Sequence, residues 1–235
     1  MISAMIVAAG YGARMKNAIR KQYLDLEGMP ILALTLMKFN DCPEIEKVYL
    51  VVPKEDFCFC ESKILKKVKP HKPVKLVPGG ETRQESVFNG LMAIKGKDNL
   101  VVIHDGVRPF ISFEKISKCI SAAKKYGAAI LAIPVDDTLK KVNKNQIIVD
   151  TVDRKNIWHA QTPQAFRYEL IMEAFTKAKQ DNFSGTDDAS LVERMGKKVK
   201  IIEGDRLNIK ITTPEDIILA RSLIKSIPSL DPSTP

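Results

Sequence analysis

The chain has 235 residues, 45% of them hydrophobic and 28% charged, with a formal net charge of +9. This length and balance exclude a disordered or collagenous chain and allow a single α/β domain with a sizeable core. The positive charge suits a polyanion, whether nucleic acid, an anionic membrane or a small phosphorylated substrate. The aromatics do not interleave with the basic residues as a stacking platform for single strands requires, so no nucleic-acid partner is expected. Cys42, Cys58, Cys60 and Cys119 lack zinc-site spacing and read as free thiols of a reducing cytosol. The N-terminal apolar run has no basic region before it and is too short to span a bilayer, so a cytoplasmic protein without a membrane partner is expected.

In chain order, continuous apolar runs at Ala4–Ala8, Val48–Val52, Val74–Val77, Leu100–His104, Ala128–Ile133 and Val199–Glu203 predict strands buried on both faces. Helices are expected between them at Ile31–Asn40, Lys54–Val68, Arg83–Ile94 and Phe113–Tyr126. The last has Ser112 as N-cap and Gly127 as its stop. The rhythm breaks after Thr138. Leu139–Val142 and Gln146–Thr151 flank the polar turn Asn143-Lys144-Asn145 and predict a β-hairpin. Such a hairpin is either a decorative excursion or an arm that grips a partner subunit. Gln161–Gln164 reads as a loop, followed by helices at Arg167–Gln180, Asp187–Met195 and Pro214–Ser226. The pattern predicts one doubly wound, mostly parallel α/β domain over 1–227, with an insertion at about 138–161 and a disordered tail at 228–235.

The first strand runs into Ala8-Ala9-Gly10-Tyr11-Gly12-Ala13-Arg14-Met15, with Lys21 six residues on. Small residues let backbone N–H groups approach phosphate oxygens, and two cations add charge. The loop is neither a dinucleotide fingerprint nor a Walker A loop. Pro78–Ser86 places a Thr82/Glu85 capping box directly after a strand, so Gly80, Arg83 and Ser86 sit at a helix N-terminus. In His104-Asp105-Gly106-Val107-Arg108-Pro109, a carboxylate ends a strand, where it needs a partner. Asp105 could pair with Arg108, accept a ribose hydroxyl, or hold Mg²⁺ directly or through water; His104 reads as a packed histidine. Thr186 of Gly185-Thr186-Asp187-Asp188 reads as an N-cap. Lys210, between isoleucines in Asn208-Ile209-Lys210-Ile211-Thr212, must face a cleft or solvent.

These segments, with Thr151-Val152-Asp153-Arg154 and Gln161-Thr162-Pro163-Gln164, resemble the ordered motifs of the 2-C-methyl-D-erythritol 4-phosphate cytidylyltransferases from Ala8 to Asp216. The resemblance implies a Rossmann-like nucleotidyltransferase fold and transfer of CMP from CTP, with Mg²⁺, to a sugar-alcohol phosphate. It implies that Arg14, Lys21 and Lys210 are catalytic, holding the triphosphate. Ala8, Ala9, Gly10, Gly12, Gly80, Arg83, Ser86 and Asp105 would then bind CTP. Asp105, Arg108, Thr138, Arg154, Thr162 and Thr186 would hold the acceptor, with Thr138 and Arg154 reaching a neighbour's site in a homodimer joined by the hairpin. The family usually has a proline before its lysine, where Arg20 stands here. Two alternatives stay open: a D-ribitol-5-phosphate cytidylyltransferase, whose loop and aspartate tend to read Ala-Gly-Gly and Asp-Ser, and a non-catalytic nucleotide- or nucleic-acid-binding protein.

Overall fold

A computed structural model describes residues 1–10, 19–94 and 99–226. Its core is a seven-stranded sheet whose order is dictated by one reversal. β1 (Ile2–Val7) pairs in parallel with β4 (Lys47–Val52), which pairs with β5 (Val74–Pro78). The chain then returns to the other side of β1 with β6 (Leu100–Asp105), also parallel. The carboxyl ends of β1 and β6 therefore flank a topological switch point, where open α/β sheets bind ligands.

Alternation along each strand explains the layers. Ala4, Ile6, Val48, Leu50 and Val102 face one apolar cluster with α1 (Ile31–Asn40) and α5 (Phe113–Tyr126). Met5, Tyr49, Val51, Val101 and Ile103 face the other, against α4 (Arg83–Ala93), α6 (Tyr168–Gln180) and α7 (Asp188–Arg194). Period-two side-chain alternation between two helical layers makes these strands apolar throughout. A third cluster packs α8 (Pro214–Ser226) against Ile31, Leu34, Val107 and Phe110. Between α1 and the loop after β1 lies a two-stranded turn of β2 (Asp25–Leu26) and β3 (Met29–Pro30).

Three expectations are corrected. Lys54–Val68 is not one α-helix. It winds as a 3₁₀ turn (Lys54–Asp56), α2 (Phe57–Phe59), a π-helical stretch (Cys60–Leu65) and α3 (Lys66–Val68), closed by Lys69 at φ 49°. Apolar spacing signals helical winding but does not set the number of residues per turn.

Gln161–Gln164 is not a loop. It lies inside β10 (Trp158–Arg167), which runs antiparallel between β6 and β7 (Ala128–Pro134), and whose residues Gln161–Phe166 are all buried. Its register on β7 shifts between Ala160 and Gln164. Pro163 occupies this irregular stretch, the setting in which a central strand tolerates proline. β11 (Lys200–Glu203) completes the sheet beside β7.

The hairpin's strands lie where expected, and only the far end of the 138–161 insertion is reassigned. β8 (Leu139–Val142) and β9 (Ile148–Val152) form a separate two-stranded sheet, and residues 158–161 belong to β10.

Candidate active site

Three loops meet at the carboxyl edge of the sheet through residues too small to hold them apart. Ala8 N–H donates to the Val51 carbonyl, Gly79 N–H to Val52 and Gly106 N–H to Val7, each at 2.8–2.9 Å. A Cβ on Gly106 would stand 2.8 Å from that of Ala8 and 2.9 Å from Leu32, and one on Gly79 would overlap Ala9. The loops after β1, β5 and β6 are thereby fused.

A cavity of about 190 Å³ opens between them, bordered by Ala8, Ala9 and Gly10 of the first loop. Gly80, Arg83 and Ser86 border it from the start of α4, Asp105 from β6, and Lys21 and Lys210 from above. Gly12 and Arg14 lie outside the described residues. Thr82 caps α4 by accepting from Glu85 N–H at 3.0 Å. The Glu85 carboxylate accepts from Glu81 N–H at 2.8 Å, one residue earlier than a reciprocal box would place it. The Ser86 hydroxyl donates to the Thr82 carbonyl at 2.8 Å and accepts from Gly80 N–H at 3.0 Å, fixing the glycine corner.

A second cavity of about 240 Å³ adjoins the first, and Arg108, Thr162 and Thr186 border it. Arg83, Asp105 and Lys210 border both, so the cavities meet at these three residues. There Asp105 accepts Lys210 Nζ at 2.9 Å and Arg83 Nε at 3.3 Å, with Arg108 Nε at 3.6 Å. The expected Asp105–Arg108 pair therefore exists as one of three. Burial alone would raise the Asp105 carboxyl, but Arg83, Lys210 and Arg108 outweigh it and hold it well below the usual carboxylate range.

Behind Asp105, the hydrogen bonds assign a tautomer. Asp105 N–H donates to Thr162 Oγ1 at 3.1 Å, and His104 Nε2 lies 3.0 Å from the Arg108 carbonyl. A carbonyl only accepts, so Nε2 carries the proton; Nδ1 then accepts from the Thr162 hydroxyl at 3.0 Å. Burial lowers the His104 pKa to about 4, keeping it neutral. It is the packed histidine expected, and it commits the Thr162 proton to the interior.

Thr186 is not a helix cap. Asp187 caps α7, accepting from Ser190 N–H at 2.9 Å, and Gln164 Nε2 also donates to Asp187 at 2.7 Å. Thr138 and Arg154 are exposed and border neither cavity of their own chain. Arg154 bonds the Asp136 carbonyl, and Asp136 pairs with Arg206 at 2.6 Å.

Sequence reasoning assigned no role to Asp188, Gln22 or Asn208. Buried Asp188 receives Arg83 Nη1 and Nη2 at 2.9 and 2.8 Å, a bidentate pair across the site floor. A carboxylate beside Ala189, Leu191 and Val192 on a helix was the available signal, since a charge facing the core needs a partner. Buried Gln22 donates to the Ala8 carbonyl at 2.7 Å and to Gly10 at 3.3 Å. Asn208 Nδ2 donates to the Thr162 carbonyl at 2.8 Å, and the Asn208 backbone carbonyl accepts from Arg108 Nη1 at 2.6 Å.

A sequence model of the family described as IspD, 2-C-methyl-D-erythritol 4-phosphate cytidylyltransferase, matches residues 2–226. The chain belongs to this family. It is 48% identical over 224 residues to the enzyme of that name from Syntrophus aciditrophicus (strain SB), covering 95% of this chain and 96% of the relative. It is 44% identical to that of Caldanaerobacter subterraneus subsp. tengcongensis, covering 95% and 99%. Its structure is similar to the crystal structure of 4-diphosphocytidyl-2C-methyl-D-erythritol synthase from Anaerococcus prevotii DSM 20548, with a TM-score of 0.85 and 38% identity over 95% of this chain and 96% of that one. The cytidylyltransferase from Francisella tularensis superposes with a TM-score of 0.80 at 36% identity, covering 94% and 98%. The IspD family relationship thus spans both cavities and the hairpin, and Arg20 can be placed within it. Arg20, the residue before Lys21, borders neither cavity and pairs with Glu55 and Asp56 at 2.7 and 3.3 Å.

Proposed function

We propose that this enzyme transfers CMP from CTP to 2-C-methyl-D-erythritol 4-phosphate, releasing 4-diphosphocytidyl-2-C-methyl-D-erythritol and pyrophosphate for isoprenoid precursor synthesis. The observation that carries this reading is the junction of two cavities at Arg83, Asp105 and Lys210. CTP occupies the cavity between the first loop and α4, and the acceptor phosphate approaches from the cavity bordered by Arg108, Thr162 and Thr186. A phosphate monoester is ionised at neutral pH and can attack the α-phosphorus without a general base, which accords with a buried, neutral His104. Catalysis then rests on alignment and on cations placed where charge grows. Lys21 and Lys210, together with Arg14, serve that role. Asp105 holds Lys210, Arg83 and Arg108 at their stations.

Among the described residues no cluster of three His, Cys, Asp or Glu side chains could cage a metal ion. Mg²⁺ ordinarily keeps waters and binds through one or two carboxylates plus substrate phosphates, so an ion carried by the triphosphate would find Asp105 and Glu81 at the border of this cavity. Such an ion would neutralise phosphate charge.

We further propose that residues 1–227 form one domain and that two chains associate through the hairpin. Val142, Ile147, Ile148 and Val149 expose 50–60% of their surface, which a partner would cover, bringing Thr138 and Arg154 to the neighbour's acceptor cavity. A cytoplasmic location accords with four free thiols, and among the described residues no helix is long and apolar enough to cross a membrane.

The test is pyrophosphate release with CTP and Mg²⁺, comparing 2-C-methyl-D-erythritol 4-phosphate with D-ribitol 5-phosphate. Release dependent on the first supports the reading. Preference for the second moves the acceptor, and no release with either overturns it.

A further inference from the structure

The turn that carries Lys21 is anchored from outside the cavity by a cluster that the mechanism above does not use. Asp56 ends the 3₁₀ turn after β4, and its Oδ2 meets two groups at once. Arg20 Nε lies at 3.3 Å and the Tyr23 hydroxyl donates at 2.9 Å. These residues stand one before and two after Lys21, which sits on the short 3₁₀ turn Lys21–Tyr23. The Tyr23 ring packs on Phe59 with centroids 4.6 Å apart, and its hydroxyl lies 3.5 Å from Cys60 Sγ. Arg20 also meets Glu55 at 2.7 Å, but Glu55 is 57% exposed and that pair is open to screening. Arg20 and Asp56 are only 19% and 17% exposed, so their charge-assisted contact is better shielded. On the opposite side Gln22 fastens the same turn to the carbonyls of Ala8 and Gly10. The Lys21 backbone is therefore held between an inner and an outer anchor.

We propose that Asp56 is a positioning residue for Lys21, its one carboxylate oxygen fixing Arg20 and Tyr23 so that the intervening ammonium reaches the nucleotide cavity. This rests on the reading that Lys21 acts on the triphosphate. Asp56 borders neither substrate cavity, so its effect must pass through Lys21.

The test is a double-mutant cycle on pyrophosphate release, using Asp56→Ala, Lys21→Ala and the pair. A displacement of about 1 Å can cost about 100-fold in rate, so Asp56→Ala is expected to lower kcat by about 10- to 100-fold. The KM for CTP should stay within about threefold, because a transition-state interaction is what is lost. On the Lys21→Ala background the same substitution should cost no more than about twofold, since its target is gone. Asp56→Asn, which keeps the volume and an acceptor for Tyr23 but drops the charge for Arg20, should fall between. Should Asp56→Ala fail to fold, Asp56→Asn carries the same cycle. Normal kcat in a folded Asp56 variant beside an impaired Lys21→Ala would overturn this proposal alone, as would a full additive loss in the double variant. Near-normal turnover by Lys21→Ala would instead remove the role of Lys21, and this proposal with it.

Discussion

Replacing Asp188 by asparagine isolates the charge that ties α7 to α4. Arg83 donates to both Asp188 oxygens at 2.9 and 2.8 Å and to Asp105 at 3.3 Å. Asparagine keeps the volume but offers one acceptor and turns an amide N–H₂ toward a guanidinium nitrogen. Breaking a buried ion pair from one side costs about 3–5 kcal/mol. Three features reduce that figure here. The Arg83 side chain is 32% exposed, Asp105 still accepts from it, and the substitution relieves repulsion between Asp188 and Asp105. The expected loss is about 2 kcal/mol. For a chain of this length about 1 kcal/mol corresponds to about 2–4 °C, so Tm should fall by about 4–8 °C. Because Arg83 borders the cavity proposed for CTP, the KM for CTP should rise as well. Calorimetry without ligand, followed by CTP titration of the rate, measures both. A Tm change below about 1 °C would show that the bidentate pair does not hold these helices together.

Lys210→Ala removes the cation nearest Asp105, and kcat for pyrophosphate release should fall about 10²- to 10³-fold, as when an oxyanion-hole donor is lost; near-normal turnover in the purified variant would remove Lys210 from the chemistry. His104 has a folded-state pKa lowered by burial to about 4, below its unfolded value of 6.5. Its contribution to stability is thus complete above pH 6.5 and is lost as pH falls from 6.5 to 4, by about 3 kcal/mol. Urea titrations should show a shallower slope across that window for His104→Gln, and equal slopes would contradict the neutral buried imidazole. Cys58 is exposed, whereas Cys42, Cys60 and Cys119 are buried, with the Cys42 and Cys119 thiols pushed up to about 11 and about 12 by burial. A chromogenic thiol reagent should therefore titrate one cysteine in the native protein and all four only in denaturant; rapid reaction of a second would refute that packing.

Much of the fold was legible in short stretches of chain. Ile31–Asn40, Phe113–Tyr126 and Pro214–Ser226 match their expected bounds, because caps such as Ser112 and stops such as Gly127 act within one turn. The parallel strands were legible because burial on both faces leaves a continuous apolar run. β10 was not, since Gln161, Thr162, Pro163 and Gln164 have the composition of a loop. Only contacts distant in sequence make them a strand, among them Gln161 with Asp205 and Asn208 and Gln164 with Asp187. The same distinction holds at the site. Ala8, Gly80, Arg83, Asp105 and Lys210 stood out because small, cationic or acidic groups at the ends of strands and the starts of helices have few structural uses. Asp188 and Asp56 did not stand out, because an acidic residue acquires a role only from what faces it. Sequence by itself determined most of the alternation of strands and helices, many of their ends, and the residues that are candidates for binding phosphate. Tertiary structure alone decided that Arg83 meets an aspartate 105 residues away, that Asp56 grips both flanks of Lys21, and that two cavities share one carboxylate. Caps and periodicity act over a few residues, whereas these contacts exist only once strand order has brought distant loops to one edge of the sheet.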